Sequence, residues 1–289
     1  MRQVYEVAGI SRQALHQHRI RQLKSERKTI EIFEQADQLR KGHPGAGCRK
    51  MALDLTCKGW GRDRLERLLL SSGYRLYRPQ KFTRTTDQRR EFYYPNLIEG
   101  LELDNINQVV QTDITYIYVG NKFFYLVFLI DVFSRRIVGH AASRTLNAEG
   151  NIKALQRMLK LRGVKSVKGL IHHSDRGTQY TAQRYRKLLA DHAITPSMCK
   201  TAWENAYTER INRTIKEEYL ERWQIIDYRS LCKRLNQAVD HYNCKRKHDS
   251  LGKISPVDFE KYVQNLDAER RPKHVIYKHL DNYQQKACE

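Results

Sequence analysis

Three acidic residues stand where an acid needs a reason. Asp113 sits midway along VVQTDITYIYV (109–119), whose alternating apolar positions read as a strand. A charge there is costly unless it is paired or binds a metal. Asp175 follows the apolar stretch VKGLIHH, in the turn HSDRGTQYT. In open α/β sheets such turns after strand ends are where ligands bind. Glu209 lies in WENAYTERINRTIKEEY, where Asn205, Glu209, Asn212 and Lys216 recur at helical spacing and share one face. Each carboxylate taken singly also fits a structural or solvated role. Together they suit phosphodiester chemistry, in which two divalent ions roughly 3.5–4 Å apart neutralise the entering and leaving oxygens. Mg²⁺ takes hard oxygen ligands of this kind and keeps several waters.

The elements that must position these residues follow from the pattern. Three strands come first, over Val109–Val119, Phe123–Val132 and Arg136–Ala142, with Gly120-Asn121 as a hairpin signal between the first two. A helix over Asn147–Leu161 follows, then a strand over Val167–His172 and a helix over Ala182–His192. A short strand near Ile194 precedes the helix that begins around Glu204. This order predicts an α/β core with a mixed sheet over residues 101–225. Asp131, at the end of the second strand, is expected to pair with Ser134 or Arg135. His172 and His173 are expected in packing or DNA contacts.

The flanks are helical. In residues 1–45, Gly9 separates two short helical patterns, Ser11 is placed to N-cap the second, and a helical stretch then runs to Arg40 and stops at KGHPGAG. That second helix would expose Arg12, Gln13, His16 and Arg19 while Val7, Ile10 and Leu15 pack inside, a helix-turn-helix-like arrangement for DNA reading. Residues 46–100 repeat the idea: Met51, Leu53 and Leu55 on one helix, a break at Lys58-Gly59, and a second helix over Asp63–Leu70 decorated by Arg62, Arg64 and Arg67. The basic stretch SSGYRLYRPQKFTRTT reads as an extended linker. Residues 226–289 look helical again, with a basic turn at CKRKHDS.

Charge and composition limit the function. The 289 residues carry 53 Lys and Arg against 32 Asp and Glu, a net +21, which points to a polyanionic partner. Each of the stretches 1–100, 101–225 and 226–289 is net positive, so no single tail accounts for the total. The greasiest run, Phe123 to Phe133, is about half the ~20 residues of a membrane span and contains Asp131. MRQVYEVAGI has no signal-peptide pattern, so a cytoplasmic, nucleoid-associated protein is expected. The six cysteines form no CxxC pair, which argues against a zinc finger.

Order and spacing add a family resemblance. Between Asp113 and Asp175 lie 61 residues, and between Asp175 and Glu209 lie 33. This resembles the Asp-Asp-Glu core of retroviral integrases and many transposases, and more specifically the OrfB transposase of the insertion-sequence-three family. The matching pieces are QTDITYI, IDVFSRRIVGH, HHSDRGTQYT, ITPSM, ENAYTERINRTIKEEY and HYNCKRKHDSLGKISPVDF. The second spacing is two residues shorter than the family's usual one, and Arg246-Lys247-His248 replaces its Arg-Pro-His. The shorter spacing makes Glu204 and Glu217 competitors of Glu209; in the register of the resemblance Glu204 lacks the downstream match with Lys216, and Glu217 lies too far along the helix. The resemblance implies a ribonuclease-H-like fold with two Mg²⁺ or Mn²⁺ ions on Asp113, Asp175 and Glu209. It also implies 3′-end cleavage followed by strand transfer, with Asn212, Arg213 and Lys216 toward the DNA. The implied partners are the element's terminal inverted repeats, target DNA, further copies of the chain and an OrfA protein or fusion. The alternative is a DNA-binding regulator, a domesticated remnant that does no chemistry.

Overall fold

The computed structural model describes residues 11–57, 59–76, 93–199 and 201–276. Two compact units divide the chain, Met1–Gln80 and Lys81–Glu289. Among the described residues no helix is long and apolar enough to cross a membrane.

The first unit holds α1 (Arg12–Gly42), α2 (Cys48–Asp54) and α3 (Arg62–Ser71). Ser11 caps α1 as expected, its Oγ accepting from the Ala14 N–H at 3.0 Å. The helix then runs unbroken for 31 residues, because neither Gly nor Pro interrupts it before Gly42. The second short helix expected here runs without a break into the helical stretch expected to Arg40, which ends at KGHPGAG as expected, and the first short helix lies outside the described residues with Val7 and Ile10. Leu15 does not pack inside; it is 44% exposed. Only the far half of α1 is buried, where Ile32 and Ala36 meet Met51, Leu65 and Leu69 of α2 and α3. The boundary expected at residue 45 thus falls inside one shared core. The break before α3 is as expected, at Gly59 with φ +85°. The linker around Pro79 lies outside the described residues.

The second unit is built on a five-stranded sheet in the order β4-β3-β2-β5-β6. Its strands are β2 (Val109–Val119), β3 (Lys122–Asp131), β4 (Ile137–Ser143), β5 (Ile171–Ser174) and β6 (Thr195–Met198). A two-residue β1 (Glu102–Leu103) pairs apart from it with β7 (His274–Val275). Strands β2, β3 and β4 are antiparallel; β5 and β6 run parallel to β2. Gly120 and Asn121 turn the β2–β3 hairpin with φ of +55° and +64°, the left-handed pair that two-residue hairpins favour. The strand expected over Val167–His172 begins later, at Ile171, because Val164–Val167 winds into a 3₁₀ turn and Gly169 (φ +81°) redirects the chain.

Alternate residues of the central strands feed two cores. One face packs Val110, Val127 and Leu129 against Leu155 and Met158 of α4 (Ala148–Arg162), with Tyr185 and Leu189 of α6 (Gln183–Asp191) beyond the four-residue α5 (Thr178–Thr181). Helix α4 crosses so closely that a Cβ on Gly139 would stand 2.3 Å from the Ala154 carbonyl oxygen. The other face packs Ile117, Leu126 and Phe128 against Ile211 and Ile215 of α7 (Ala206–Glu218) and Leu231 and Leu235 of α8 (Tyr228–Cys244). The segment after residue 225, expected as a helical extension, therefore shares the core of the sheet. Its last helix, α9 (Pro256–Gln264), carries buried Glu260, which receives Ser134 Oγ at 2.7 Å and Arg162 Nη1 at 2.8 Å and also pairs with Arg136.

Asp131 joins this network. Its carboxylate accepts from the backbone N–H groups of Asn107 (2.8 Å), Phe133 (3.1 Å) and Ser134 (3.0 Å). The expected link to Ser134 is present through the backbone. The cation beside it is Arg162 at 3.5 Å, not Arg135, whose guanidinium lies 4.2 Å from the ring centre of Tyr207.

Candidate active site

The pairing of β2 with β5 decides where two of the three carboxylates meet. Thr112 is opposite Ser174 in the parallel register, and the pairing stops there. The next residue along each strand is Asp113 on β2 and Asp175 in the turn after β5. Residues separated by 61 others in sequence are brought to one strand end. The turn is tight: Asp175 Oδ1 accepts from the Gly177 N–H at 3.1 Å. A Cβ on Gly177 would stand 2.9 Å from that same oxygen, so a larger residue there would push the Asp175 carboxylate aside.

Helix α7 is fastened to β2 by a ladder of side-chain amides. Gln111 Nε2 donates to the Glu204 carbonyl at 3.0 Å, and Asn205 Nδ2 to the Thr112 carbonyl at 3.0 Å. Asn212 Nδ2 donates to Asp113 Oδ2 at 2.8 Å. One turn further, Lys216 Nζ lies 5.2 Å from the ring centre of Tyr116. Asn205, Asn212 and Lys216 of the polar stripe thus reach β2 from Thr112 to Tyr116, while Glu209 between them stays exposed. Of the competing acids, Glu204 is buried (2% exposed) and closes a capping box with Thr201 at the start of the helix. Glu209 is exposed one turn later, on the side toward Asp113. Gln111 was not singled out in the sequence; its only signal is a long amide at an inward strand position.

The electrostatics follow from this convergence. Burial pushes the Asp113 carboxyl up to about 8, the charges of Asp175 and Glu209 push the same way, and the Asn212 hydrogen bond opposes them. Among the described residues, however, no three His, Cys, Asp or Glu side chains close into a group that by itself holds a metal ion. The donor set still suits a hard divalent cation. It offers carboxylate oxygens that repel one another, and the buried Oδ1 of Asn212 has no hydrogen-bond partner. The nearby Cys199 thiol is pushed up to about 12 by burial and by Asp175, so no thiolate competes. His172 and His173 point elsewhere: His172 shares a 2.8 Å hydrogen bond with Tyr185 Oη, and His173 a 2.9 Å one with Ser197 Oγ. Burial holds both rings low, at about 4 and about 3, so they are neutral packing groups near neutral pH.

Comparison with known proteins gives the family. An integrase core domain matches residues 104–202, and a second integrase core domain matches residues 192–256. The 31 kDa protein of insertion element IS600 from Shigella sonnei is 32% identical over 272 residues, covering 90% of this chain and 98% of that one. The InsF transposase for insertion sequence IS3A from Escherichia coli K12 is 31% identical over 157 residues, 53% of this chain and 54% of that protein. The chain belongs to the insertion-sequence-three family of transposases, with an integrase-like core. Another relative, the transposase for IS904 from Lactococcus lactis, is 33% identical over 58% of this chain and 67% of its own length. Among solved structures, the HTLV-2 integrase catalytic core domain in complex with magnesium is 18% identical, covers 57% of this chain and 99% of that chain, and has a TM-score of 0.44.

The remaining residues expected toward DNA are spread over this family member's two units. In the first, Arg12, Gln13 and Arg19 are exposed on the opening turns of α1. Arg62 is exposed and paired with Asp63 at 2.7 Å, and the Arg64 guanidinium lies 3.8 Å from the Trp60 ring centre. In the second, Arg213 is exposed on α7 while Asn212 is buried, its amide committed to Asp113.

Proposed function

We propose that this chain cuts the 3′ ends of its element and joins them to target DNA, with Asp113, Asp175 and Glu209 as the catalytic carboxylates. The observation that carries the reading is the end of the β2–β5 pairing at Thr112 and Ser174, which sets Asp113 beside Asp175 beneath the helix bearing Glu209. These three side chains would hold divalent metal, Mg²⁺ or Mn²⁺ and two ions in the full site, which supplies charge neutralisation to the entering and leaving oxygens when bound. Asn212 fixes the rotamer of Asp113, and the Gln111 and Asn205 amides fix the distance of α7 from the strand. Lys216 and Arg213, on the same helix, are placed to meet the phosphates on either side of the reacting bond. Net charge +21 favours long contact with duplex DNA, both terminal repeats and target. Further copies of the chain on paired ends and an OrfA partner belong to the same reading, in a protein of the cytoplasm and nucleoid.

The deciding experiment is strand transfer on labelled element ends with Mg²⁺ or Mn²⁺, comparing wild type with Glu209→Gln. Joined products that vanish in the variant support the reading. Tight DNA binding without cleavage by either protein, unchanged when OrfA is added, overturns it in favour of a DNA-binding regulator.

A further inference from the structure

The hairpin between β2 and β3 carries an aromatic face that the protein leaves in water. Tyr116, Tyr118 and Phe123 are 39%, 58% and 49% exposed. Tyr118 and Phe123 are direct cross-strand partners, with ring centres 5.0 Å apart, and the Tyr116 and Phe123 rings meet at 5.7 Å. A fully covered aromatic side chain buries roughly 150–250 Å², of which about half is still open at each of these rings, and contiguous exposed apolar patches mark binding surfaces.

The surroundings say what covers them. Lys216 Nζ stands 5.2 Å from the Tyr116 ring centre, and exposed Lys122 opens the strand that carries Phe123. Ammonium groups fringing flat rings are poor material for a protein interface, where Lys is depleted. They match a ligand made of flat rings on an anionic backbone, which is single-stranded nucleic acid. Position supports this. Tyr116 follows Asp113 by three residues, about 10 Å of strand. The two side chains leave β2 on opposite faces, and between them β2 has no strand partner on its β5 side, because that pairing ends at Ser174. Helix α7 spans that edge, bearing Glu209 on the carboxylate side and reaching Tyr116 through Lys216. At about 3.4 Å per stacked nucleotide, 10 Å is about three nucleotides.

We infer that Tyr116, Tyr118 and Phe123 form a stacking platform for unpaired bases about three nucleotides from the phosphodiester that is cut, with Lys216 on an intervening phosphate. This rests on the proposed reading of Asp113, Asp175 and Glu209. The platform captures a DNA end only when its terminal bases are unpaired, so it selects frayed ends over intact duplex.

The test uses the full chain in Ca²⁺ and element ends carrying 2-aminopurine at successive positions, either fully paired or with unpaired termini. Wild type should quench the probe near the third nucleotide of unpaired ends. The double variant Tyr116→Ala, Tyr118→Ala should lose that quench and bind unpaired ends about 5- to 150-fold more weakly for each base released, while paired ends change little. Phe123→Ala serves as a second variant if the first unfolds, and Tyr116→Trp should keep the quench. Equal weakening on paired and unpaired ends, or a quench that survives removal of the rings, overturns the platform. So does loss of self-association in the variants by analytical ultracentrifugation, which would assign the face to a second copy of the chain. Cleavage by wild type on the same ends in Mg²⁺ separates the two ideas. Ring-dependent quench without cleavage faults the carboxylate reading, and cleavage without ring-dependent quench faults the platform.

Discussion

Asn212 Nδ2 donates to Asp113 Oδ2 across 2.8 Å, a single bond between a buried helix amide and the carboxylate at the centre of the sheet. It sets both the rotamer of Asp113 and the height of α7 above β2. Hydrogen-bond partners of metal-holding carboxylates typically change activity by about 10- to 100-fold. Asn212→Ala should therefore slow single-turnover cleavage by that factor while leaving DNA affinity within about threefold. Cleavage at the wild-type rate would remove Asn212 from the positioning of Asp113.

Glu204 and Glu209 should separate cleanly. Glu204 is buried in a helix cap, so Glu204→Ala should cost about 0.5–2 kcal/mol of stability in urea denaturation. Glu209 is exposed, so Glu209→Gln should leave the denaturation midpoint in place and abolish strand transfer. The opposite pattern would transfer the third carboxylate role to Glu204.

The Glu260 network tests whether α9 is integral to the second unit. The Arg162 side chain is 7% exposed and pairs with both Glu260 and Asp131. Burial alone pushes the Glu260 carboxyl up, and Arg162 and Arg136 outweigh that and hold it low. Glu260→Ala would leave buried cations short of a partner, a loss of about 3–5 kcal/mol by chemical denaturation. A midpoint within experimental error of wild type would show that the ion group contributes nothing net.

Acid should weaken the fold through buried histidine. Burial holds His172, 1% exposed, at about 4, and its ordinary value in the unfolded chain is about 6.5. The unfolded chain therefore takes up the proton first as pH falls. The contribution of His172 is complete above about 6.5 and is lost toward 4, at up to about 1.4 kcal/mol per pH unit. His140, also held at about 4 by burial, acts in the same direction. Thermal midpoints measured from pH 7.5 to 5 should fall, and His172→Gln should flatten the slope. An unchanged slope would assign the acid sensitivity to other groups.

Much of the site was legible in the chain because its signals are local. A charged residue among alternating apolar ones marked Asp113, a turn after an apolar run marked Asp175, and helical spacing aligned Asn205, Glu209, Asn212 and Lys216. The same reasoning failed where a neighbour distant in sequence decides the outcome. Leu15 was expected inside, yet its half of α1 finds no partner among the described residues of its unit, and the burial goes to Ile32 and Ala36. Asp131 was expected to pair with Ser134 or Arg135; Ser134 does so through its backbone N–H, but the cation beside it is Arg162, at the far end of α4. Phe123 stood in a run read as a strand, yet it is exposed with Tyr116 and Tyr118, because which elements cover that end of the hairpin is decided by packing from elsewhere in the chain.

The sequence by itself determined the order of strands and helices, the basic character of each part and which acids stood in apolar surroundings. Periodicity and charge act over a few residues and survive without a fold. Tertiary structure alone decided that Asp113 meets Asp175, that Glu204 is used up in a cap, and that Asn212 and Lys216 of α7 reach the sheet. Each depends on strand register and helix docking between segments tens of residues apart. A shift of one residue there would turn every side chain of β2 to the opposite face.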